Sequence, residues 1–383
     1  MLHIYLDHAA TTPLDPRVRA AMEPYVEEVF GNASSVHWHG RQAKAALEQA
    51  RTTIAGVIGA HPSEVFFTSG GTEGDNLAIQ GWVAHRAAAH VVTASAEHHA
   101  VLDTCEHLRS SGVQVTVVPV DSAGTVDAAA LDAALAGGAG LISIMHANNE
   151  VGTVQPIRAI ADRAANYGAV VHTDAVQSIG KIPVNVDELG VHLLSLSAHK
   201  FYGPKGVGVL YIRRGTDVAP LVHGGGQERG KRPGTENVAL AMGCAEALRL
   251  AAEERETVMQ RLARLRDLLE AELLRTFPGL LVNGDRKARV PHLLSVSFDA
   301  AQYPMEGEML VTNLDLEGIS VSSGSACASG SVQPSHVLLA MGRDEATAKA
   351  TVRFSFGSAN TGEDVTAVVG AMQRVIDRMM KAR

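Results

Sequence analysis

The chain alternates between short apolar runs and longer amphipathic stretches from about residue 64 to residue 213. Each run is too short for a typical helix and has the length of a buried strand. The predicted strands lie near 64–68, 90–94, 113–118, 141–146, 169–173, 191–197 and 207–212. Strands that alternate with helices usually form a mainly parallel sheet with helices on its faces. We therefore predict an α/β fold with a mainly parallel seven-stranded sheet flanked by helices.

A second, smaller domain is predicted after this region. Residues 237–277 have an almost wholly helical pattern, and we interpret them as a long connector into that domain. The elements predicted beyond it are strands near 293–298 and 352–356 and helices near 305–315 and 363–381. This mixture indicates an α+β domain, and we place its boundary near residue 255.

Composition narrows the class of protein. The chain has 383 residues, which is enough for one large and one smaller domain, and a formal charge of -8, which argues against direct binding of nucleic acid. No apolar run approaches the roughly 18 residues of a membrane span, and no basic stretch followed by an apolar one precedes Asp7, so we expect neither membrane insertion nor a signal peptide. Three widely spaced cysteines suit a reducing cytoplasm.

The run Ser195-Leu-Ser-Ala-His-Lys-Phe-Tyr-Gly-Pro-Lys-Gly206 places Lys200 where a predicted strand meets a glycine-rich turn. A lysine held at a strand end beside a histidine can lose its proton and bond covalently to an aldehyde. The alternative is an exposed lysine in a turn, which is the common situation for an isolated lysine. Polar residues at other strand ends favour the first interpretation.

The segment Phe66-Phe-Thr-Ser-Gly-Gly-Thr72 is a short apolar run followed by small residues and a helical pattern. A strand, a glycine turn and a helix N-terminus together make an anion site from free backbone N–H groups. Gly71 allows close approach and Thr72 can add a hydroxyl. The glycine spacing fits neither a Walker loop nor a dinucleotide fingerprint, and an ordinary capped helix start remains the alternative.

Polar residues follow three more predicted strands. Asp174 ends the strand near 169–173, where a carboxylate can keep a pyridine nitrogen protonated; the alternative is a helix N-cap. Asn149 follows the strand that ends near Met145. His98 follows the strand near 90–94, where its ring can stack on a flat cofactor or move protons. No metal site is expected at the paired histidines, because they lack carboxylate or cysteine neighbours.

The three cysteines differ in their surroundings. Cys327 lies in Ile319-Ser-Val-Ser-Ser-Gly-Ser-Ala-Cys-Ala-Ser-Gly-Ser331, which has few apolar residues to bury a thiol, so we predict an exposed, reactive cysteine in a mobile loop. Cys105 and Cys244 lie in helical patterns among alanine and leucine. We predict that both of these are core residues.

A lysine, a carboxylate, an anion cradle and a stacking ring at the strand ends of one domain are the equipment of a pyridoxal phosphate enzyme. The chain resembles the cysteine desulfurases of the nitrogen-fixation and iron–sulfur-cluster type, in the class V branch of the aspartate aminotransferase fold. The resemblance runs from Tyr5 to Gly357, more than nine-tenths of the chain. Its motifs include Tyr5-Leu-Asp-His-Ala-Ala-Thr-Thr12, Gly31-Asn-Ala-Ser-Ser-Val-His37, Gly224-Gly-Gly-Gln-Glu-Arg-Gly-Lys-Arg-Pro-Gly-Thr-Glu-Asn-Val238, Ser323-Gly-Ser-Ala-Cys-Ala-Ser-Gly330 and Val352-Arg-Phe-Ser-Phe-Gly357.

The resemblance implies a fold-type I enzyme that holds pyridoxal 5'-phosphate. It implies a large domain over 15–255, and a small domain from 1–14 and 256–383 that carries the catalytic cysteine loop. The positions that match cofactor-binding residues are Gly71, Thr72, His98, Asn149, Asp174, Gln177, Ser197, His199, Lys200 and Thr235. Those that match substrate-binding residues are Asn32, Asn149 and Arg353. Thr235 matches a residue that reaches the phosphate of the other subunit, which implies a homodimer.

The implied catalytic residues are Lys200, Cys327 and His98. Cys327 would take sulfur from L-cysteine as a persulfide and pass it to an acceptor protein such as an iron–sulfur cluster scaffold, leaving L-alanine. The alternatives are a selenocysteine lyase, an aminotransferase of the same fold and a non-catalytic partner of sulfur-transfer proteins. The acceptor is left open between a cluster scaffold, a transfer RNA thiolation enzyme and a cofactor pathway.

Overall fold

The structure is a computed structural model that describes residues 3–86, 89–303, 307–323 and 333–381. Its strands are β1 (Ile4–Tyr5), β2 (Val65–Thr68), β3 (His90–Ala94), β4 (Gln114–Val118), β5 (Leu141–Ser143), β6 (Val170–Asp174), β7 (Leu193–Ser197), β8 (Gly208–Ile212), β9 (Leu280–Val282), β10 (Leu293–Phe298), β11 (Ile319–Ser320) and β12 (Thr351–Ser355). All seven strands predicted between residues 64 and 213 are present, although β5 ends three residues earlier than expected.

Helices lie between the strands. They are α1 (Pro16–Glu27), α2 (Trp38–Ile58), α3 (Gly71–Val83), α4 (His99–Ser110), α5 (Ala128–Ala136), α6 (Ile157–Ala165), α7 (Val186–Leu189), α8 (Val238–Thr276), α9 (Gly307–Leu316), α10 (His336–Ala340), α11 (Glu345–Lys349) and α12 (Gly362–Lys381). Short 3₁₀ turns cover Pro62–Glu64, Ala198–Lys200 and Gln227–Gly230. No helix in the described part of the chain combines the length and the apolar character of a membrane span.

The central sheet has seven strands in the order β2-β8-β7-β6-β5-β3-β4. Only β8 runs against its neighbours; the other pairs, from β7 to β4, are parallel. Successive residues of a strand face opposite sides of the sheet. Val91 accordingly packs into one hydrophobic cluster, while Val92 packs into the other. Helices therefore cover both faces, as predicted.

Two smaller sheets form the second unit. One is the antiparallel sheet β12-β10-β9, and the other is the parallel pair of β1 with β11, in which Ile4 lies opposite Ile319. The helix α8 joins this unit to the first one: Leu248 packs in the core beside the central sheet, while Leu269 packs in the core of the small sheets. A single helix therefore contributes side chains to both cores.

The core cysteine predictions are confirmed. Cys105 in α4 and Cys244 in α8 are both buried and free. Burial raises the pKa of each thiol to about 12, so neither forms a thiolate at neutral pH.

A buried ion pair stabilises the turn that follows the central sheet. Arg51 of α2 makes a two-pronged contact with Glu228, with both N···O distances 2.9 Å. The Phe67 N–H of β2 donates to the same carboxylate at 2.9 Å. Glu228 itself has a φ of 45°, in the left-handed region that a non-glycine residue rarely adopts. The pair thus holds a strained turn against the edge strand of the sheet.

We expect Glu228→Gln to lower the free energy of unfolding by about 3–5 kcal/mol, because it removes the buried counter-charge of the Arg51 guanidinium and leaves only the half-exposed Glu48 paired with it. Urea unfolding of the variant measures this. Glu253→Gln is the matched control: Glu253 pairs with Arg249 on the surface, and its loss should cost about 1 kcal/mol or less. Equal destabilisation by the two substitutions would contradict the structural role given to Glu228.

Candidate active site

Lys200 lies at the end of the 3₁₀ turn that follows β7. Its Nζ donates hydrogen bonds to the carbonyl oxygens of Ala9 and Ala10, at 2.8 and 2.7 Å. Two residues later Tyr202 has a φ of 64°, and its N–H donates to Thr12 Oγ1 at 2.8 Å. Strained backbone of this kind persists where surrounding contacts hold it, and it is common at active sites. The segment after β1 therefore fixes both the lysine and the turn that carries it.

Lys200 lines a cavity of about 770 Å³ at the carboxyl ends of the parallel strands. This is the edge at which open α/β sheets bind ligands. The predicted site residues that line it are Gly71, Thr72, His98, Asn149, Asp174, Gln177, Ser197, His199, Lys200 and Arg353. Residues that the sequence separates by almost 300 positions are thus brought to one cavity.

The N-terminus of α3 forms one wall of the cavity. Gly70 occupies the N-cap position and supplies no side-chain oxygen to the first turn. A Cβ on Gly71 would lie 2.6 Å from Val176 Cγ2, so the close packing here requires glycine. Backbone N–H groups at an uncapped helix start, next to the hydroxyls of Thr72 and Ser197, suit a phosphate group. The alternative left open by the sequence, an ordinary helix start capped by a side chain, is not present, since no side chain caps α3.

Asp174 is buried at the end of β6 and accepts a hydrogen bond from the Val176 N–H at 2.8 Å. Burial raises its pKa, while the Val176 N–H and the nearby His98 and Lys200 act in the opposite direction. A cation placed against this carboxylate would lower its pKa again. Asp174 therefore favours a ligand group that carries a positive charge or a proton.

Two histidines of the cavity are held in the neutral form. The Nδ1 of His98 accepts from the Ala100 N–H at 3.0 Å at the start of α4, so its proton is assigned to Nε2. Burial lowers the pKa of His98, and it lowers that of His199 to about 4. His199 Nδ1 lies 3.1 Å from Thr11 Oγ1. Neutral rings can stack on a flat ligand and donate one hydrogen bond each.

Arg353 reaches the cavity from β12. Its Nη2 donates to Asp7 Oδ1 at 2.8 Å and its Nη1 donates to the carbonyl oxygen of Asn149 at 2.9 Å. Within the described residues, its buried Nε and the buried Oε1 of Gln177 have no hydrogen-bond partner. Buried polar atoms without partners are costly, and a polar ligand can satisfy them. The cavity therefore fits a ligand that carries anionic and hydrogen-bonding groups.

Two predicted site residues of the described chain do not line this cavity. Asn32 and Thr235 are exposed elsewhere on the surface; Asn32 Oδ1 accepts from the Ser34 N–H at 2.8 Å. Cys327 lies outside the described residues. The described chain on both sides of it reaches the cavity, since Ser322 pairs with Arg353 and Gln333 lines the wall.

Sequence reasoning missed two acids beside Asp174. Asp75 lines the cavity, and both it and Glu97 are almost fully buried. Burial, with the Asp174 charge as a further cause, raises the pKa of each well above its usual value. Glu97 Oε1 accepts from the Met145 N–H at 2.7 Å. The sequence offered one signal for these acids, their closeness to predicted site residues. Asp75 lies three residues after Thr72, and Glu97 lies one residue before His98.

Sequence reasoning also missed a contact at the other side of the cavity. The Ser335 hydroxyl donates to Glu150 at 2.5 Å, and His336 Nε2 lies 2.8 Å from the Glu97 carbonyl oxygen. These bonds tie the start of α10 to the ends of the central strands. No group of three or more metal-binding side chains occurs within the ranges that the structure describes.

The comparisons with known proteins agree with this geometry. The sequence model of the aminotransferase class V family matches residues 4–368. The chain is 48% identical to "Cysteine desulfurase IscS" of Dictyoglomus turgidum over 378 residues, which cover 98% of this chain and 95% of that protein. Among solved structures, a "NIFS-LIKE PROTEIN" is 38% identical with a TM-score of 0.91, covering 98% of this chain and 100% of that one. "SspA in complex with cysteine" is 35% identical with a TM-score of 0.81, covering 94% and 100%.

Proposed function

The chain belongs to the class V aminotransferase family and is a cysteine desulfurase, and we propose that it converts L-cysteine to L-alanine at the Lys200 cavity with pyridoxal 5'-phosphate as its cofactor. The observation that carries this proposal is the convergence of Lys200, Asp174, His98 and Arg353 on one cavity. Each supplies a different requirement of the reaction: a covalent anchor, a proton-holding acid, a stacking ring and a carboxylate clamp.

We assign residues to the cofactor from the family resemblance, and their positions in the walls of one cavity support the assignment. Lys200 would hold it covalently and Asp174 would face the pyridine nitrogen. The phosphate would lie at the α3 N-terminus, bound by the residues Gly71, Thr72, Ser197 and His199. Asn149 and Gln177 would meet the ring hydroxyl, and His98 would stack on the ring. When bound, pyridoxal phosphate supplies an electron sink for charge that develops on the substrate.

The chain's own groups would then act on L-cysteine, a substrate supported by the related structure of SspA in complex with cysteine. Arg353 and Asn149 would bind the substrate carboxylate, with Asn32 as a further contact, and Lys200 would take the Cα proton. The Cys327 thiolate would form an S–S bond with the substrate sulfur as the substrate's Cβ–S bond breaks. The electron pair of the broken bond would stay with the carbon skeleton of the substrate. Lys200 and His98 would supply protons to this carbon skeleton, which is then released as alanine.

We place the protein in solution as a homodimer. Phe30, Val36 and Trp38 are large apolar side chains that lie exposed and near one another in sequence, next to the exposed Asn32. Exposed apolar patches of this kind mark interaction surfaces. Thr235 is exposed as well, which supports a role at a second subunit's site. A dimer would thus use both site residues that lie outside the cavity.

The sulfur held on Cys327 would pass to an acceptor protein such as an iron–sulfur cluster scaffold. Cys105 and Cys244 are not disulfide-bonded, which supports our proposal that the protein acts in a reducing compartment such as the cytoplasm.

The first test is alanine formed from L-cysteine by the purified protein, with a reductant present to clear the persulfide. We expect alanine and sulfide in equal amounts. Cys327→Ala should keep the cofactor colour and lose both products, whereas Cys105→Ala, which removes a buried thiol, should retain turnover. Full desulfuration by Cys327→Ala would overturn the persulfide role, and no alanine from the cofactor-loaded wild type would overturn the proposed reaction.

A further inference from the structure

Lys200 borders a second cavity, which lies behind it and away from the proposed substrate site. This rear cavity has a volume of about 130 Å³ and lies between the two hydrophobic cores. Leu250 and Leu262 of α8 form part of its apolar wall, and Lys181, His8 and His292 supply polar groups. Its volume is room for one small ion and a few waters.

Lys181 is a lysine that lines the rear cavity. Its side chain is buried, and its Nζ donates to the carbonyl oxygen of Lys200 at 3.0 Å. No carboxylate of the described chain forms an ion pair with it. An ammonium group has three N–H donors and no acceptor. Lys181 therefore has donors beyond the one bond to Lys200, and its charge is not balanced by the protein.

Two histidines that line the rear cavity have buried ring nitrogens without partners. Both ring nitrogens of His292 and the Nδ1 of His8 are buried without a hydrogen-bond partner among the described residues. Burial is the first cause that keeps both rings neutral: it lowers the pKa of His8 to about 4 and that of His292 well below its usual value. A neutral imidazole still carries one N–H donor. The rear cavity thus combines N–H donors that lack partners with the positive charge of Lys181, which no carboxylate balances.

The charged groups around Lys181 do not supply the missing negative charge. At the mouth of the rear cavity, Asp15 and Glu254 are both paired with Arg17, and Arg255 lies beside them. On the other side, the nearby titratable groups are Lys200 and the neutral His199. The positive charges of Arg266 and Arg353 also act on His292. The two carboxylates and the two arginines at the mouth carry no net charge, so none of these groups balances Lys181.

We propose that the rear cavity binds one small monovalent anion, such as chloride, between the Lys181 ammonium group and the ring N–H groups of His8 and His292. The anion satisfies donors that are otherwise buried without partners and balances the charge of Lys181. Its binding also holds the Lys181 side chain, and through it the carbonyl of Lys200, in place. This site is separate from the proposed desulfurase chemistry, so the failure of one leaves the other standing.

Binding should depend on pH with a defined sign. Burial, followed by the charge of Lys200, lowers the pKa of Lys181 to about 7 in the absence of an anion. A bound anion favours the ammonium form and raises that pKa. Chloride affinity is therefore full below pH 7 and falls by about tenfold per pH unit as the pH rises above it, until the anion-bound pKa is reached.

The test compares thermal unfolding of the cofactor-loaded protein in potassium chloride and in potassium gluconate, a much larger anion, at equal ionic strength. A ligand that binds only the folded state raises Tm with saturable dependence on its concentration. We expect chloride to raise Tm relative to gluconate, and more at pH 6.5 than at pH 8.5. Lys181→Met keeps the apolar stem, and it should weaken chloride binding by at least tenfold. Lys349→Met removes a surface lysine that pairs with Glu345, and it should leave the chloride effect unchanged.

Bromide in wild-type crystals gives a second measurement that needs no variant, because its anomalous scattering locates it directly. A bromide peak in contact with Lys181 Nζ supports the site even if Lys181→Met fails to fold. Equal stabilisation by chloride and gluconate, an unchanged chloride effect in a folded Lys181→Met protein, or bromide peaks confined to the surface would each overturn the proposal.

Discussion

Replacement of Lys200 by alanine should abolish alanine formation from L-cysteine and remove the covalently held cofactor. Lys200 is the one lysine among the described residues that line the proposed substrate cavity, so no other amine is placed to take over. Loss of a positioned proton-transfer group alone lowers turnover by roughly 10²–10⁴-fold. Loss of the covalent anchor adds to this, and we expect no turnover above background.

Two measurements check this expectation separately. Turnover is followed as alanine, and covalent attachment is followed by reducing the loaded protein with borohydride and finding the modified peptide by mass spectrometry. The modified peptide should contain Lys200 in the wild type and be absent from Lys200→Ala. Lys205→Ala, which removes an exposed lysine five residues away, is the control and should keep both signals. Covalent cofactor on another lysine of Lys200→Ala would remove Lys200 from its assigned role.

Much of the large sheet followed from the sequence because each strand is an apolar run bounded by small or polar residues. The ends of most parallel strands could therefore be located, although β5 ends earlier than predicted, and residues such as Asp174 and His98 could be assigned to one edge of the sheet from the sequence. This works because parallel strands all end on the same side of a sheet. The distant Arg353 was included by resemblance, supported by its position between two apolar neighbours.

Other parts of the structure gave no local signal. The pairing of β1 with β11 joins two-residue strands more than 300 positions apart, and no pattern within such short strands selects a partner. Val337 and Leu338 of α10 pack into the core beside the central sheet, although they follow the small-domain elements in sequence. Periodicity shows which face of a helix is apolar, but it does not show which core that face meets.

Buried charges were the hardest class to predict. Lys181 follows a glycine in Ser178-Ile-Gly-Lys181, a context that is typical of an exposed turn. Asp75 is surrounded in sequence by polar residues of the first turns of α3. Their burial arises from packing against segments far away in the chain. The same packing shifts their pKa values, so the sequence alone could not indicate the acid cluster beside Asp174 or the rear cavity.

Replacement of Arg353 by lysine should raise the KM for L-cysteine with a much smaller effect on kcat. Lysine keeps the positive charge but loses the planar fork that binds a carboxylate with two parallel hydrogen bonds. A hydrogen bond to a charged group contributes about 1.5–3 kcal/mol, so the KM should rise by roughly 10–150-fold. The carboxylate does not take part in bond breaking, and its loss of binding therefore affects the ground state and the transition state alike.

The controls separate substrate binding from structure, because Arg353 also bonds Asp7 and the Asn149 carbonyl oxygen. Arg261→Lys is the control, since each guanidinium donates two hydrogen bonds within the protein: those of Arg261 go to the carbonyl oxygens of Asn360 and Ser358, and Arg261 lines neither cavity. It should leave KM unchanged. The visible absorbance of the cofactor should be the same in Arg353→Lys as in the wild type, because Arg353 is assigned to the substrate. An unchanged KM with a large loss of kcat, or loss of the cofactor, would mean that Arg353 orders the cavity rather than binds the substrate carboxylate.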